Sequence, residues 1–176
     1  FSCSGTLATM ACALPYSIAA KLAFPERQSI AFVGDGGFTM LMGEFLTAVK
    51  YKLPIIVVII KNNTLGQIKW EQIVFLGNPE YGCELHNPNF AKFAEACGGV
   101  GFTVERPEDI RPALEQAIAT GQPAVVEVVV DPNEPPMPSK ISAAQALHFA
   151  EALAKGQRDG GKIALTIFRD KLNELF

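Results

Sequence analysis

Cysteine and histidine are scarce in this sequence. Its 176 residues include only four cysteines and two histidines, and the cysteines, Cys3, Cys12, Cys83 and Cys97, show no C-x-x-C spacing. This pattern supports neither a zinc site nor a disulfide framework. We therefore predict four free thiols, buried as is usual for proteins of the reducing cytoplasm.

The sequence also lacks an excess of positive charge and a long apolar run. Its formal net charge is −3, which gives no basic surface of the kind that binds nucleic acid. No segment reaches the roughly 18 apolar residues of a membrane span. Hydrophobic residues make up 49% of the chain and charged residues 19%, which suits a parallel sheet covered by helices. We expect a cytoplasmic protein with no nucleic-acid partner.

Two short apolar segments with a helical pattern between them are the first positive signal. Residues 29–33 (SIAFV) and 54–60 (PIIVVII) are typical of strands buried on both faces. Between them, apolar residues recur at the spacing of an amphipathic helix, which we expect to run to residue 51. The residues of this stripe are Phe38, Leu41, Met42, Phe45, Leu46 and Val49. The pattern predicts a β-α-β unit with parallel strands.

Each predicted strand is followed by a residue that carries oxygen donors, Asp35 after the first and Asn62 after the second. Because open parallel sheets bind ligands at the carboxyl ends of their strands, both side chains can reach a common ion. Carboxylate and amide oxygens, together with phosphate oxygens, are ligands that Mg²⁺ prefers. Beside Asp35, the glycines Gly34, Gly36 and Gly37 let the backbone approach a phosphate closely. The spacing therefore predicts a site for a magnesium-bound diphosphate.

Two other phosphate-binding patterns fit poorly. A dinucleotide fingerprint G-x-G-x-x-G needs a third glycine where Thr39 stands, and an acidic residue further along that is missing. The chain also has no Walker lysine motif. Since an isolated Asp-Gly pair is commonly only a turn, the prediction depends on the spacing between Asp35 and Asn62.

GDG, followed about twenty-five residues later by NN, resembles the signature of the thiamine diphosphate-dependent enzymes. Residues 8–25 extend the resemblance, because ATMACALP and AKLAFP are similar to the family patterns T-M-x-x-x-L-P and A-K-L-A-x-P. The resemblance is to the C-terminal, diphosphate-binding domain. The fold that we expect is α/β, a three-layer doubly wound parallel sheet with helices on both faces, followed by a C-terminal helical tail.

The resemblance implies roles for individual residues. Asp35, Asn62 and the backbone carbonyl of Thr64 would hold Mg²⁺, and Met10 would lie under the thiazolium ring. Without the resemblance, Met10 would be interpreted as a core residue. The implied cofactor-binding set is Met10, Gly34, Asp35, Gly36, Gly37, Asn62, Thr64, Leu65 and Gly66.

Within the family, the chain is most similar to pyruvate oxidase and quinone-linked pyruvate dehydrogenase. Gly37 favours this branch, since acetolactate synthases often have Ser there, and so do the connector DPNEPPMP and the tail sequence AEALAKG. The branch implies that Glu71, in a helix predicted at 65–73, lies in the substrate pocket; a solvated helix glutamate is the alternative. The expected reaction is pyruvate decarboxylation, with FAD on a middle domain. The alternatives are an acetolactate synthase-like carboligase and a non-catalytic diphosphate-binding module.

The predicted domain organisation has three parts: a thiamine diphosphate-binding domain at 1–131, a proline-rich connector at 132–141 and a helical tail at 142–176. Because the chain begins at Phe1 without methionine, we expect an excised domain that lacks upstream pyrimidine-binding and middle domains. The resemblance places the family's proton-relay glutamate on the pyrimidine-binding domain. We therefore expect this fragment to be inactive and the intact enzyme to be a homodimer or homotetramer.

The rest of the chain continues the alternation of strands and helices. The pattern predicts a helix that begins after Asn87-Pro88-Asn89 and ends at Cys97, strands at 100–104 and 123–130, and a helix at 107–119.

In the tail we predict helices at 142–155 and 163–176. The second helix places Leu165, Phe168, Leu172 and Leu175 on one face. We expect this face to dock on its own or a neighbouring subunit. The alternative is peripheral contact with the inner face of the membrane. Such contact would be weak, because the helix has few positive charges to attract lipid head groups.

Overall fold

Four parallel strands form the sheet, in the order β1-β2-β4-β3. In this computed structural model, which describes residues 1–134 and 142–173, the strands are β1 Ser29–Gly34, β2 Ile55–Lys61, β3 Val100–Val104 and β4 Ala124–Val129. All three pairings are parallel, and Gly34 at the end of β1 lies opposite Ile60 of β2. The predicted parallel α/β sheet is confirmed.

Helices follow each of the first three strands. The α-helices of the described residues are α1 Ala13–Ala23, α2 Asp35–Thr39, α3 Phe45–Lys50, α4 Gly66–Trp70, α5 Phe90–Ala96, α6 Ile110–Ala119, α7 Ala143–Ala154 and α8 Gly160–Asn173. Short 3₁₀ turns lie at Met10–Cys12, Met42–Glu44 and Pro107–Asp109, and a π-helical segment at Glu71–Phe75 continues α4. The helix that was predicted at 65–73 is therefore present as an α-helix followed by a π-helical turn.

Alternate residues of β2 are buried on opposite faces of the sheet. Ile55, Val57 and Ile59 belong to the core under α1, α3 and α5. Ile56 and Val58 belong to a second core, which is closed by α6. Because each fully buried Val or Ile side chain contributes about 1.5–3 kcal/mol, the two cores hold helices against both faces. This is the three-layer arrangement that the sequence predicts.

The outer strand β1 differs from the prediction, since only one of its faces is buried. Ala31 and Val33 are in the core, but Ile30 is 51% and Phe32 71% exposed. The cause is the position of β1 at the edge of the sheet, because α6 packs against β3 and β4. The prediction of two buried faces is correct for β2 and wrong for β1.

The single helix predicted between β1 and β2 is also wrong. The chain leaves the helical region at Leu41, where φ is −136° and ψ is 26°, so that α2 and α3 are separate helices. Phe45 and Ala48 form the buried side of α3, whereas Leu41 and Leu46 of the predicted stripe are 44% and 53% exposed. After the break, the buried face of α3 passes through Phe45 and Ala48 and not through Leu46.

The chain forms two compact units. The first contains residues 1–63 and 86–130 and includes the sheet; the second contains residues 64–85 and the described residues from 131 onward. The second unit has its own core, formed by Trp70, Ile73, Val74, Ala152 and Ile163. The predicted boundary at residue 131 stays a prediction, and residues 135–141 of the predicted connector lie outside the described residues.

Two helices form the described tail, as predicted. A capping box from Ser142 and Gln145 begins α7, and α8 starts at Gly160, earlier than expected. Ile163 of α8 is buried in the second unit, while Leu165 and Phe168 are 68% and 62% exposed. The side chain of Leu172, and Leu175 entirely, lie outside the described residues. Among the residues that the structure covers, no helix is both long and apolar enough to cross a membrane.

All four cysteines are free thiols, but their burial varies. Cys83 is buried and Cys12 and Cys97 are half-buried, whereas Cys3 is exposed because it precedes the first helical turn. The prediction that all four are buried is therefore correct for Cys83, wrong for Cys3 and only partly met by Cys12 and Cys97. Burial raises the pKa of the Cys83 and Cys97 thiols, and the negative charge of Glu80 raises that of Cys83 further.

Candidate functional site

Asp35 lies at the junction between β1 and α2, and only 2% of its surface is exposed. Its Oδ1 atom accepts a hydrogen bond from the backbone N–H of Gly36 at 2.8 Å. Its Oδ2 atom accepts two, from the backbone N–H of Asn63 at 2.6 Å and from Nδ2 of Asn87 at 2.8 Å. The carboxylate is therefore fixed by three neutral donors from three segments of the chain.

Among the side chains that the structure describes, those of residues 1–134 and 142–169, no positively charged group forms an ion pair with this carboxylate. A buried charge is costly unless it is paired or coordinates a metal. Mg²⁺ takes hard oxygen ligands such as this carboxylate. The donor set at Asp35 therefore fits a divalent cation.

The structure explains why the second residue of the Asn62-Asn63 pair is an asparagine. Asn63 adopts a positive φ of 56°, which asparagine tolerates better than most residues with a side chain. This conformation directs its backbone N–H to Asp35. Asn62, the predicted ligand, is half-buried immediately after β2. Because β1 and β2 are hydrogen-bonded neighbours, the start of α2, which carries Asp35, lies beside the loop that carries Asn63 at the carboxyl ends of these strands.

The residues that follow belong to the second unit. Thr64 is 7% exposed, and its hydroxyl donates a hydrogen bond to the carbonyl of Cys83 at 3.2 Å. The N–H of Leu65 donates to the same carbonyl at 2.8 Å, and Gly66 begins α4. These contacts attach the start of residues 64–85 to the loop at the end of the same segment. The roles predicted for Thr64, Leu65 and Gly66 in cofactor binding stay predictions.

Met10 and Gly37 lie against each other. Met10 is 50% exposed in its 3₁₀ turn, and a Cβ atom added at Gly37 would lie 2.8 Å from the Met10 carbonyl oxygen. Gly37 therefore has a packing function that the sequence did not indicate. Gly34, in contrast, has open space around its Cα, as a phosphate-binding backbone would need. Cofactor contacts of Met10 and the glycine run stay predictions.

Glu71 is exposed and begins the π-helical segment of the second unit. Its Oε1 atom accepts a hydrogen bond from Nε2 of Gln67 at 3.3 Å. Isolated π-helical turns occur frequently at functional sites. The proposed place of Glu71 in a substrate pocket stays a prediction.

Asn63 and Asn87 are site residues that the sequence reasoning missed. It interpreted Asn87 only as part of a helix cap, but the cap of α5 is Asn89, whose side chain accepts from the N–H of Lys92 at 2.7 Å. Asn87 instead donates to Asp35, which is 52 positions away in the chain. The available signal was the pair of asparagines around Pro88, because only one of them can be the N-cap residue.

With this geometry in place, comparison with known proteins identifies the family. The sequence model for the C-terminal TPP-binding domain of thiamine pyrophosphate enzymes matches residues 1–128. The chain belongs to the thiamine pyrophosphate enzyme family. It provides the C-terminal domain that binds this cofactor, also called thiamine diphosphate, and the family prediction is confirmed.

Relatives differ in the reaction that their names describe. The chain is 47% identical over 176 residues to YdaP of Bacillus subtilis (strain 168), described as thiamine pyrophosphate-containing, and covers 30% of that protein's length. It is 37% identical over 134 residues, 75% of this chain, to pyruvate oxidase of Lactiplantibacillus plantarum, covering 22% of it.

It is also 33% identical over 142 residues, 78% of this chain, to acetolactate synthase isozyme 3 large subunit of Escherichia coli (strain K12), covering 25% of it. The chain thus spans less than a third of the length of these relatives.

Proposed function

We propose that this chain holds the magnesium-diphosphate end of thiamine diphosphate in an enzyme that decarboxylates pyruvate, of the pyruvate oxidase or quinone-linked pyruvate dehydrogenase type. The observation that carries the proposal is the Asp35 carboxylate, which is buried with no ion-pair partner among the described side chains, where the start of α2 meets the loop after β2. A magnesium ion bound there would supply the missing positive charge and hold the diphosphate.

In this proposal, the residues of this chain bind the metal ion and the cofactor and orient the cofactor. Asp35, Asn62 and the carbonyl of Thr64 would hold Mg²⁺, and Met10 would support the cofactor rings. The exposed Gly34 offers a backbone without a side chain to the phosphates. Thiamine diphosphate, when bound, supplies the stabilisation of the carbanion that forms as carbon dioxide leaves. Glu71 is the proposed substrate-pocket residue.

The names of the relatives support two reaction types. Pyruvate oxidase is 37% identical in the matched region, and Gly37 and the tail sequence favour that branch. An acetolactate synthase-like carboligase is the second candidate, because acetolactate synthases match at 33% identity. A non-catalytic diphosphate-binding module is the third.

Further parts of the proposal concern the intact protein. FAD would bind a middle domain outside this chain, and the active unit would be a homodimer or homotetramer. We place the protein in the cytoplasm, with weak peripheral contact at the inner face of the membrane through α8 as a secondary proposal. The exposed Leu165 and Phe168 are the described residues that would make that contact.

Product analysis of the intact protein separates the candidates. With pyruvate, thiamine diphosphate, Mg²⁺ and an artificial electron acceptor, we expect acetate and carbon dioxide to form while the acceptor is reduced. Acetolactate formed from two pyruvates, without acceptor reduction, would contradict the oxidase assignment in favour of the carboligase. Calorimetric binding of the cofactor without any turnover would instead support the non-catalytic module.

A further inference from the structure

The side chain of Asn87 connects the start of α2 to the loop that follows β2. Its Nδ2 atom donates to Oδ2 of Asp35 at 2.8 Å and to Oδ1 of Asn63 at 3.1 Å. An amide nitrogen carries two hydrogen atoms, one for each acceptor. The reverse orientation would place the Asn87 carbonyl oxygen against a carboxylate, so the hydrogen-bond partners fix the orientation of the amide.

Asn87 is held in place by the residues that follow it. Pro88 restricts the backbone, and its carbonyl accepts a hydrogen bond from Nζ of Lys61 at 3.3 Å. Asn89 caps α5. These contacts attach the segment to the end of β2 and to a helix, so that the Asn87 side chain projects from a fixed support.

The start of α5 is fastened to the centre of the sheet as well. The N–H of Phe90 donates to Oε2 of Glu127 at 3.0 Å, and Glu127, on β4, is 1% exposed. Thr103 of β3 donates to the other oxygen of Glu127 at 2.9 Å, and Lys61 pairs with Oε2 at 3.2 Å. Three strands thus fix the position from which Asn87 reaches the site.

The hydrogen bonds divide the Asp35 carboxylate into two unlike oxygens. A carboxylate has about four acceptor sites, two on each oxygen. Among the described residues, Oδ2 accepts from both Asn63 and Asn87, whereas Oδ1 accepts from Gly36 alone. The remaining acceptor site is therefore on Oδ1, and a cation that binds Asp35 meets one available oxygen.

We propose that Asn87 is a positioning and specificity-determining residue, which holds Oδ2 of Asp35 so that the carboxylate presents a single oxygen to the metal and thereby favours Mg²⁺ over Ca²⁺. Mg²⁺ requires near-octahedral geometry, whereas Ca²⁺ accepts more ligands and binds carboxylates through one or both oxygens. The inference rests on the proposed function, since it assumes that Asp35 is a metal ligand. It adds a residue that acts on the metal through Asp35.

Calorimetric titration of the intact protein with Mg²⁺ and with Ca²⁺, each at saturating thiamine diphosphate, tests the proposal. For Asn87→Leu, which keeps the branched arrangement of four side-chain heavy atoms but has no donor, we expect the Kd for Mg²⁺ to rise about 10- to 100-fold, as for other partners of metal ligands. The Kd for Ca²⁺ should change less, so that the preference for Mg²⁺ falls. The control is Asn89→Ser, which keeps the cap of α5 and should leave both constants unchanged.

Two outcomes would overturn the proposal. One is a preference for Mg²⁺ over Ca²⁺ in Asn87→Leu equal to that of the unmodified protein. The other is an equal loss of affinity for both ions together with a lower Tm, which indicates a purely structural role. Failure of the proposed function is distinct, because the unmodified protein would then bind no Mg²⁺ in the presence of thiamine diphosphate.

Discussion

The Asp35 carboxylate shows why the burial of one charged residue needs a chemical explanation. Three neutral donors surround it, and within the described part of the chain no cation does. Hydrogen bonds from neutral groups only partly replace the hydration that a carboxylate loses on burial. A bound cation would complete the compensation, and the protein should therefore gain stability when magnesium and cofactor bind.

We predict that Asp35→Asn removes this gain. At a cofactor concentration about 100 times its Kd, binding stabilises a protein by about 2.7 kcal/mol, which raises Tm by several degrees. The unmodified intact protein should show this rise with thiamine diphosphate and Mg²⁺, and Asp35→Asn should not. Thermal melting with and without the two ligands measures it. An equal rise in Tm for both proteins would show that Asp35 is not a metal ligand.

The sequence identified some site residues and missed others for a physical reason. Asp35 and Asn62 follow apolar strands, so their spacing alone predicts that they lie at the same edge of the sheet. Asn87 reaches Asp35 across 52 positions, and Asn63 acts through its backbone N–H. The asparagines around Pro88 indicate only that one of them is not the helix cap, and no local pattern names Asp35 as the partner of Asn87 or of the Asn63 N–H. Both contacts therefore required the structure.

At the scale of elements, the junction between the Met10 turn and α2 depends on a missing side chain. In Gly37→Ala the new Cβ atom would lie 2.8 Å from the Met10 carbonyl oxygen and 3.0 Å from Cγ2 of Val33. Because a backbone atom must move, we expect a loss of about 1–3 kcal/mol in the free energy of unfolding, as for other overpacked sites.

Gly34→Ala is the matched control for this substitution, since its Cβ would have no neighbour within 4 Å and its φ is −74°. It should leave stability unchanged or raise it by about 0.4–1 kcal/mol. Urea unfolding of the two variants provides the comparison. If Gly37→Ala is no less stable than Gly34→Ala, the close packing at Met10 is not important for stability.

The buried Glu127 joins β4 to three neighbouring segments. Glu127→Ala would remove the partners of Lys61, Thr103 and the N–H of Phe90 together. Breaking one side of a buried ion pair costs about 3–5 kcal/mol, and we expect a value near 3 because the Lys61 side chain keeps 15% exposure. The measurement is the urea midpoint.

The exposed pair Arg111–Glu115 on α6 provides the control, with side chains 87% and 65% exposed. Glu115→Ala should cost less than about 0.5 kcal/mol, because solvent screens such a pair. Similar losses in Glu127→Ala and Glu115→Ala would show that the buried network adds no stability beyond that of a surface ion pair.

Periodicity predicted the elements well where the local sequence pattern determines which residues are buried. It predicted them poorly where burial depends on the packing of distant elements. The strands, α5 with its asparagine cap and the two tail helices follow from alternation, caps and turn residues. The break at Leu41 and the exposed face of β1 depend on which helices cover which strands. That arrangement is a property of the sheet order β1-β2-β4-β3, which the local pattern does not contain.

At the scale of the whole molecule, we propose that the chain supplies one part of an active site. It spans 30% or less of the length of the relatives compared above, and the proposed function assigns the proton-relay glutamate to another domain. We predict that the purified 176-residue chain does not consume pyruvate, whereas the intact protein does. Assay of both under the same cofactor concentrations measures this. Turnover by the isolated chain would show that no other domain is needed.

The uncovered side of β1 has a practical consequence for handling this chain alone. Ile30 and Phe32 expose two large apolar side chains on an edge strand of the sheet. Exposed apolar edge strands promote aggregation. Concentrated preparations of the isolated chain should therefore scatter light and precipitate. A hydrophilic replacement such as Phe32→Lys would improve colloidal behaviour without disturbing the interior.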